Sequence, residues 1–220
     1  MLSLFAQVDQ YIEQLVANED TELVMARQAI SKAGWADQSI SPVQGKLLQF
    51  FARSCQAKRI LEVGTFGAYS TLWLAKALPP EGKLITIESD QEHAEHAIHI
   101  IQQSAHQHQI ELLQGTGLHC MTELLSQRGA PFDFFFIDAD KPPYLEYFQL
   151  AIKLARKGSI IVCDNVIRNG KVLDETSNDE KVIGVRRLNN YLKDCKEVTA
   201  VILQTVGNKE YDGMVLAVVN

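Results

Sequence analysis

The chain has 220 residues, of which 46% are hydrophobic and 22% are charged. These proportions are ordinary for one globular domain and exclude intrinsic disorder. The formal net charge of −6 disfavours binding to nucleic acid or to an anionic membrane. No uncharged stretch is long enough for a transmembrane helix. Four cysteines without a CxxC pair favour reduced thiols and a cytoplasmic protein.

Residues 1–57 are predicted to form a helical extension of a single domain that spans 1–220. Apolar residues near the start recur at helical spacing: Leu4, Val8, Ile12 and Leu15. A second helix is predicted over about 21–33. A third is predicted after Ser41-Pro42, because a proline is tolerated in the first turn of a helix. Further apolar side chains on the first helix, Phe5 and Tyr11, are compatible with packing against a second subunit.

From residue 58 to residue 220, strand and helix patterns alternate. The strand candidates are rich in β-branched or aromatic residues and cover 59–63, 83–88, 109–113, 132–138 and 158–164, followed by a hairpin of 198–206 and 213–219. This pattern predicts an α/β fold with a doubly wound, seven-stranded, mostly parallel Rossmann-like sheet and an antiparallel C-terminal hairpin. In such sheets ligands bind beyond the carboxyl ends of the strands.

The first predicted strand ends in a glycine turn, Glu62-Val-Gly64-Thr-Phe-Gly67. Glycines allow the backbone to approach a ligand closely, and the preceding acid suits a cationic ligand better than a pyrophosphate. The second strand ends in Glu88, where a carboxylate can accept hydrogen bonds from ribose hydroxyls. Together these features indicate a positively charged nucleoside without phosphates, such as S-adenosylmethionine. The alternative is a tight turn with two incidental surface acids.

Polar residues also end the fourth and fifth predicted strands, as Asp138-Ala-Asp140-Lys141 and as Asp164-Asn165. Side chains at neighbouring strand ends can converge on one ion. Carboxylate and amide oxygens match Mg²⁺, Mn²⁺ or Ca²⁺ rather than zinc or copper. The alternatives are that Asp140 caps the following helix and that Asp164-Asn165 forms a loop turn.

Three segments resemble signatures of a known family, the cation-dependent O-methyltransferases, which include the caffeoyl-CoA and catechol O-methyltransferases. These are LEVGTFGAYS and FFFIDADK followed by IIVCDN, within a resemblance that covers about residues 38–220. It is strongest to small bacterial members that act on ortho-dihydroxy phenols. It implies a class I methyltransferase fold, S-adenosylmethionine and a divalent cation as cofactors, and a homodimer. Two departures are Pro142-Pro143 after the lysine and Gly117 where many relatives have alanine.

The resemblance implies roles for individual residues. The cation would be held by Asp138, Asp164 and Asn165, and Asp138 would also take part in catalysis and cofactor binding. Lys141 would act as the general base or stabilise the phenolate. The methionyl part of the cofactor would contact Glu62, Gly64, Thr65 and Ser70. The rest of the cofactor would lie against Glu88 at the ribose, Gly117 at the adenine, and the backbone near Ile40.

Other residues give weaker signals. Tyr211 is a candidate substrate contact, because the last hairpin can overhang the strand ends. His93, His96 and His99 recur every third residue, which predicts a solvated helix face rather than a metal site. The polar segment 167–178 is a candidate substrate loop.

The predicted function is therefore methyl transfer from S-adenosylmethionine to one hydroxyl of a catechol-like small molecule, with a divalent cation bound. The first alternative is a methyltransferase that acts on another small-molecule acceptor. The second is a cofactor-binding module without catalysis. A module that only binds the cofactor needs none of the residues Asp138, Lys141, Asp164 and Asn165. The presence of all four therefore argues against this alternative.

Overall fold

The computed structural model describes residues 3–209 and 211–220 of the chain. The strands of the described residues are β1 Arg59–Val63, β2 Lys83–Glu88, β3 Ile110–Gln114, β4 Phe132–Ile137, β5 Ala155–Asp164, β6 Val198–Thr205 and β7 Asp212–Val219. They form a seven-stranded sheet in the order β3-β2-β1-β4-β5-β7-β6. β1 to β5 pair in parallel, and β7 runs antiparallel to β5 and β6. The predicted fold class is confirmed.

Helices connect the strands and precede the sheet. Their bounds are α1 Leu4–Val16, α2 Thr21–Lys32, α3 Pro42–Ser54, α4 Tyr69–Ala75, α5 Gln91–Gln102, α6 Gly117–Ser126, α7 Tyr144–Leu154 and α8 Glu180–Leu192, with a short 3₁₀ turn at Lys171–Leu173. α3 begins with Pro42, and the side chain and backbone of Ser41 exchange hydrogen bonds with Gln44 in a capping box. This cap explains why the helix starts at the predicted place.

The strand β4 separates two hydrophobic cores. Phe134 and Phe136 pack on one face of the sheet with residues of α2, α3, α4 and α5. Phe135 and Ile137 pack on the other face with residues of α6, α7 and α8. Because successive side chains of a strand point to opposite faces, a continuous apolar run fills both cores. The sheet is therefore covered on both sides, and its strand ends are left to form a site.

The helix α1 contributes little to either core. Its buried residue is Ala6, and it is held to the turn between β6 and β7 by a 2.7 Å hydrogen bond from the Asn208 N–H to Asp9 Oδ2. Its apolar side chains are largely exposed, among them Leu4, Phe5, Val8, Tyr11, Leu15 and Val16. Among the described helices, none combines the length and apolar character needed to cross a membrane.

Candidate active site

A cavity of about 550 Å³ lies at the carboxyl ends of the parallel strands. It brings together ten of the residues predicted from the sequence: Ile40, Gly64, Thr65, Ser70, Glu88, Gly117, Asp138, Lys141, Asp164 and Asn165. Two predicted site residues, Glu62 and Tyr211, do not line it. The cavity is where the strand-end argument expects a ligand.

The turn after β1 requires glycine at position 64. Gly64 has a φ of +98°, and a Cβ there would lie 2.1 Å from the carbonyl oxygen of Asp138. Its N–H donates to the Ile87 carbonyl at 2.9 Å. Both the left-handed backbone and the close approach exclude a larger residue. The glycine turn is therefore in direct contact with the end of β4.

The carboxylate of Glu88 ties this turn to the end of β2. Its Oε2 accepts hydrogen bonds from the N–H groups of Thr65 at 3.2 Å and Phe66 at 2.8 Å. Its Oε1 accepts from the Asp90 N–H at 2.9 Å. Glu88 also lines the cavity. It therefore fixes the shape of the turn and offers oxygen atoms to a ligand.

Glu62 lies behind the cavity wall, which differs from the predicted direct contact with the cofactor. It is fully buried and accepts hydrogen bonds from the hydroxyls of Ser70 at 2.6 Å, Thr71 and Thr86. Burial raises the pKa of Glu62 to about 7, against the opposing effect of these hydroxyl donors. Glu62 thus positions Ser70, which does line the cavity.

Lys141 is buried in the cavity wall and held by three oxygen atoms. Its Nζ lies 2.9 Å from Asp138 Oδ1 and 3.3 Å from the Asp164 carbonyl oxygen, and it also contacts the Tyr144 hydroxyl. The Tyr144 hydroxyl in turn lies 2.9 Å from the Asp164 carbonyl oxygen and 3.1 Å from that of Ile137. Burial raises the pKa of Tyr144 well above its usual value, so its hydroxyl stays protonated. The sequence reasoning missed Tyr144, the first residue of α7, although it follows Lys141 by only three positions.

Asp164 and Asn165 end β5 beside these groups. Asp164 is almost fully buried, and burial, together with the charge of Asp138, raises the pKa of its carboxyl. Asn165 has a φ of +59°, and its N–H donates to Asp164 Oδ1 at 2.7 Å. Two neighbouring carboxylates in a buried site repel each other when both are ionised, and a cation between them stabilises the ionised forms. The site therefore fits a positively charged occupant.

The residues that could hold a divalent cation are Asp138, Asp164 and Asn165. They provide two carboxylates and one amide, which are hard oxygen ligands. Within residues 3–209 and 211–220, no cluster of three His, Cys, Asp or Glu side chains has the arrangement of a metal site. The proposed set contains only two side chains of those types, since its third member is an amide.

Asp140 contacts Tyr147 instead of capping a helix. The Tyr147 hydroxyl donates to Asp140 Oδ1 at 2.6 Å, while α7 begins after Pro143 without a side-chain cap. Gly117 packs against the same tyrosine, because a Cβ on residue 117 would lie 2.7 Å from Tyr147 Cε1. This contact explains why glycine stands at position 117.

An aromatic cluster covers one side of the cavity. The ring of Trp35 lies 5.6 Å from Phe66, 4.5 Å from His93 and 4.9 Å from His96, measured between centroids. Phe66 and His93 line the cavity. The prediction that His93 and His96 form a solvated helix face is therefore wrong. The three-residue spacing gave no sign of this cluster, because Trp35 reaches the histidines from a loop that is distant in the sequence.

The predicted substrate contacts are only partly in place. Tyr211 is 38% exposed, and its hydroxyl bonds to Gln204 Oε1 on the neighbouring strand at 2.6 Å. It lies next to the hairpin turn and does not line the cavity, so substrate contact by Tyr211 stays a prediction. Within the segment 167–178, Arg168 lines the cavity.

Comparison with known proteins decides which family this site belongs to. The profile of a family described as O-methyltransferase matches residues 13–219. The chain belongs to the O-methyltransferase family. A catechol O-methyltransferase of Niastella koreensis is 50% identical over 98% of each chain.

Two solved structures have the same architecture. The O-methyltransferase TomG from Streptomyces achromogenes, in complex with SAM, has a TM-score of 0.96 and 44% identity over the full length of both chains. An O-methyltransferase from Bacillus cereus, in complex with SAH, has the same TM-score and 40% identity, also over full length. The prediction of a S-adenosylmethionine-dependent O-methyltransferase is thus confirmed at the level of the family.

Proposed function

We propose that this O-methyltransferase transfers a methyl group from S-adenosylmethionine to one hydroxyl of an ortho-dihydroxy phenol, with a divalent cation bound at the site. The observation that carries the proposal is the convergence of Asp138, Lys141, Asp164 and Asn165 in one cavity with the glycine turn. The catechol O-methyltransferase of Niastella koreensis, at 50% identity, supports the choice of acceptor.

Methyl transfer is a displacement in which the methyl–sulfur bond breaks as an oxygen–carbon bond forms. The products are S-adenosylhomocysteine and a methyl ether, and the phenol proton must be removed. An isolated phenol has a pKa of about 10 and is mostly protonated at neutral pH. A divalent cation bound by Asp138, Asp164 and Asn165 would favour the phenolate form of a chelating diol.

Lys141 is the proposed acid–base group. Uncharged, its Nζ accepts the phenol proton; charged, it stabilises the phenolate by its positive charge. Its contacts with Asp138 and Tyr144 support a fixed position for Nζ. Holding the oxygen, methyl carbon and sulfur in line supplies much of the remaining rate enhancement, on the order of 7–11 kcal/mol.

The cofactor is proposed to lie across the ends of β1, β2 and β3. Gly64, Thr65 and Ser70 contact its methionyl part, with Glu62 as a positioning residue behind them. Glu88 holds the ribose hydroxyls, Gly117 lies beside the adenine, and Ile40 covers the cofactor from the loop before α3. The shared cavity of the contact residues supports this arrangement.

The test combines mass spectrometry with one variant and one control. Wild type is incubated with S-adenosylmethionine and 3,4-dihydroxylated phenols, with Mg²⁺ and with excess chelator. A monomethylated product that disappears with chelator supports the proposal, and Asp164→Asn should lose that product while the exposed Asp194→Asn keeps it. Product that survives chelation would remove the cation from the mechanism. Cofactor binding without any product would favour another acceptor or a non-catalytic module.

The proposed assembly is a homodimer. The exposed apolar residues of α1 and those of the edge strand β6, which include Val201 and Leu203, support a second copy of the chain as the occupant of this surface. Sedimentation velocity should show a dimer for wild type and a monomer for Leu15→Glu with Val201→Glu. The control is Leu173→Glu, because Leu173 is also an exposed apolar residue but lies in neither α1 nor β6. A monomeric wild type would exclude the dimer.

A further inference from the structure

The cavity wall carries cationic side chains that have no carboxylate paired with them, although five carboxylates also line it: Glu88, Asp138, Asp140, Asp164 and Asp212. Four described cationic side chains line it: Lys141, Arg168, Lys181 and Lys209. Lys141 pairs with Asp138 at 2.9 Å, and Lys209 pairs with Asp37 at 3.1 Å. Across the described part of the chain, no carboxylate lies within ion-pair distance of Arg168 or Lys181. Two cations of the cavity wall are thus available to an anionic ligand.

Arg168 is the more deeply placed of the two. Its Nε is buried and has no hydrogen-bond acceptor among the described residues, whereas Lys181 is exposed. A buried N–H group without an acceptor is unfavourable, and the cost is larger when the group is charged. A ligand that brings an acceptor to this guanidinium therefore recovers free energy on binding.

The backbone around Arg168 is fixed in an unusual conformation. Arg168 has a φ of +53°, which is unfavourable for a residue with a long side chain. Asn169 follows with a φ of +54°, a conformation that asparagine tolerates better than most residues. Asp212 Oδ1 accepts hydrogen bonds from the N–H groups of Ile167, Arg168 and Gly213 at 2.8–2.9 Å. Such strain persists where the surroundings hold it, and it is concentrated at functional sites. The carboxylate of Asp212 thus holds the arginine at the cavity wall.

The position of Arg168 after β5 favours the methyl acceptor over the cofactor as its partner. Arg168 follows β5 four residues after Asp164, whereas the proposed cofactor contacts follow β1, β2 and β3. β5 is separated from β1 by β4, so the two strand ends are about 10 Å apart at the usual strand spacing. The acceptor must lie near Asp164 and Lys141, on the same side as Arg168.

We propose that Arg168 binds a carboxylate of the methyl acceptor, so that the preferred substrate is an ortho-dihydroxy aromatic acid. This inference rests on the proposed function. A guanidinium offers a planar pair of N–H donors that matches a carboxylate. Lys181, at the exposed edge of the cavity, adds long-range attraction for an anion.

The test compares two acceptors that differ only in charge, 3,4-dihydroxybenzoate and its methyl ester. Steady-state kcat/KM is measured for both with Mg²⁺ and saturating S-adenosylmethionine, in wild type, Arg168→Gln and Arg168→Lys. Wild type should prefer the acid. Arg168→Gln should lower the ratio of kcat/KM for acid over ester by about 10- to 100-fold, as expected for loss of a charge-assisted hydrogen bond. The loss should appear mainly in KM, and Arg168→Lys should restore part of the ratio.

The control is Lys171→Gln, which removes an exposed cation of the same segment that does not line the cavity. It should leave the ratio unchanged. An unchanged ratio in Arg168→Gln would overturn the inference, and so would a weaker affinity for S-adenosylhomocysteine with equal loss on both acceptors. Methylation of the ester but not of the acid by wild type would overturn it while the proposed function stands. If wild type methylates neither compound, the proposed function fails and this inference fails with it.

Discussion

The backbone of Gly64 touches the backbone of Asp138: a Cβ on residue 64 would lie 2.1 Å from the Asp138 carbonyl oxygen. The Asp138 N–H also donates to the Val63 carbonyl at 2.9 Å. The glycine turn proposed for the cofactor and the strand end proposed for the cation are therefore one packed unit. A substitution that moves the glycine turn must therefore also move the end of β4.

The substitution Gly64→Ala should disrupt both halves of the site. The new Cβ meets backbone atoms, which cannot move away as a flexible side chain can, and the φ of +98° is unfavourable for alanine. We expect the free energy of unfolding to fall by about 2–5 kcal/mol, from overpacking and the left-handed backbone together. Urea denaturation measures this loss, and calorimetry should show no binding of S-adenosylhomocysteine.

Gly129→Ala is the matched control for Gly64→Ala. A Cβ at Gly129 has no neighbouring heavy atom within 4 Å, and its φ is not in the left-handed region. Its stability should stay within about 0.5 kcal/mol of wild type. Equal stability and equal cofactor affinity for the two variants would show that the contact between Gly64 and Asp138 has no energetic importance.

Tyr144→Phe should slow methyl transfer without weakening cofactor binding. The hydroxyl contacts Lys141 Nζ and lies 2.9 Å from the Asp164 carbonyl oxygen, so its removal loosens the lysine but leaves the glycine turn intact. We expect kcat to fall about 10-fold and the free energy of unfolding to fall by about 1 kcal/mol, the usual value for one hydrogen bond. The KM for S-adenosylmethionine should stay near that of wild type.

The control for this prediction is Tyr191→Phe. The Tyr191 hydroxyl bonds to Glu197 near the surface at 3.2 Å, so this variant should keep the wild-type kcat. A kcat for Tyr144→Phe that equals that of the control would exclude a positioning role for Tyr144.

Much of the site could be predicted because it follows from strand ends. The predicted strand 59–63 has the observed bounds of β1, and 83–88 those of β2. Polar residues directly after such strands must meet at one edge of a parallel sheet. Local sequence and one rule of topology were therefore enough for Asp138, Asp164 and Glu88 to be expected in one cavity.

The residues that could not be predicted depend on packing between distant segments. Trp35 packs against His93 and His96 of α5, and His93 lines the cavity. The residue spacing in α5 gives no sign of this contact. Glu62 was expected to contact a ligand because it precedes the glycine turn. Strand alternation and three nearby hydroxyls bury it instead. The Tyr211 hydroxyl bonds to Gln204 across the hairpin, a partner that the sequence pattern did not indicate.

Glu62 should make the stability of the fold depend on pH. Burial raises its pKa in the folded protein to about 7 from an ordinary value of 4.5, so the protonated form is favoured in the folded state. The resulting stability is fully present below about pH 4.5 and is lost as the pH rises through 7. A shift of this size corresponds to about 3 kcal/mol.

Glu62→Gln should remove this dependence, because the amide does not ionise. Wild type should lose up to about 3 kcal/mol relative to Glu62→Gln between about pH 4.5 and pH 8, measured by urea denaturation at several pH values. The control is Glu111→Gln, which changes an exposed glutamate of β3. Its free energy of unfolding should change with pH as that of wild type does. The same change of unfolding free energy with pH in wild type and in Glu62→Gln would contradict the prediction.

Trp35 should report cofactor binding through its fluorescence and contribute to affinity. It does not line the cavity itself, but it packs on Phe66 and His93, which do. A ligand that contacts these two rings changes the surroundings of Trp35, whereas the second tryptophan, Trp73, is buried in the core. We expect the emission change on adding S-adenosylhomocysteine to persist in Trp73→Phe and to vanish in Trp35→Phe.

In Trp35→Ala the Kd for S-adenosylhomocysteine from calorimetry should rise about 5-fold, since aromatic contacts contribute about 1 kcal/mol. An emission change that remains in Trp35→Phe, or an unchanged Kd in Trp35→Ala, would show that the aromatic cluster around Trp35 is not part of the cofactor site.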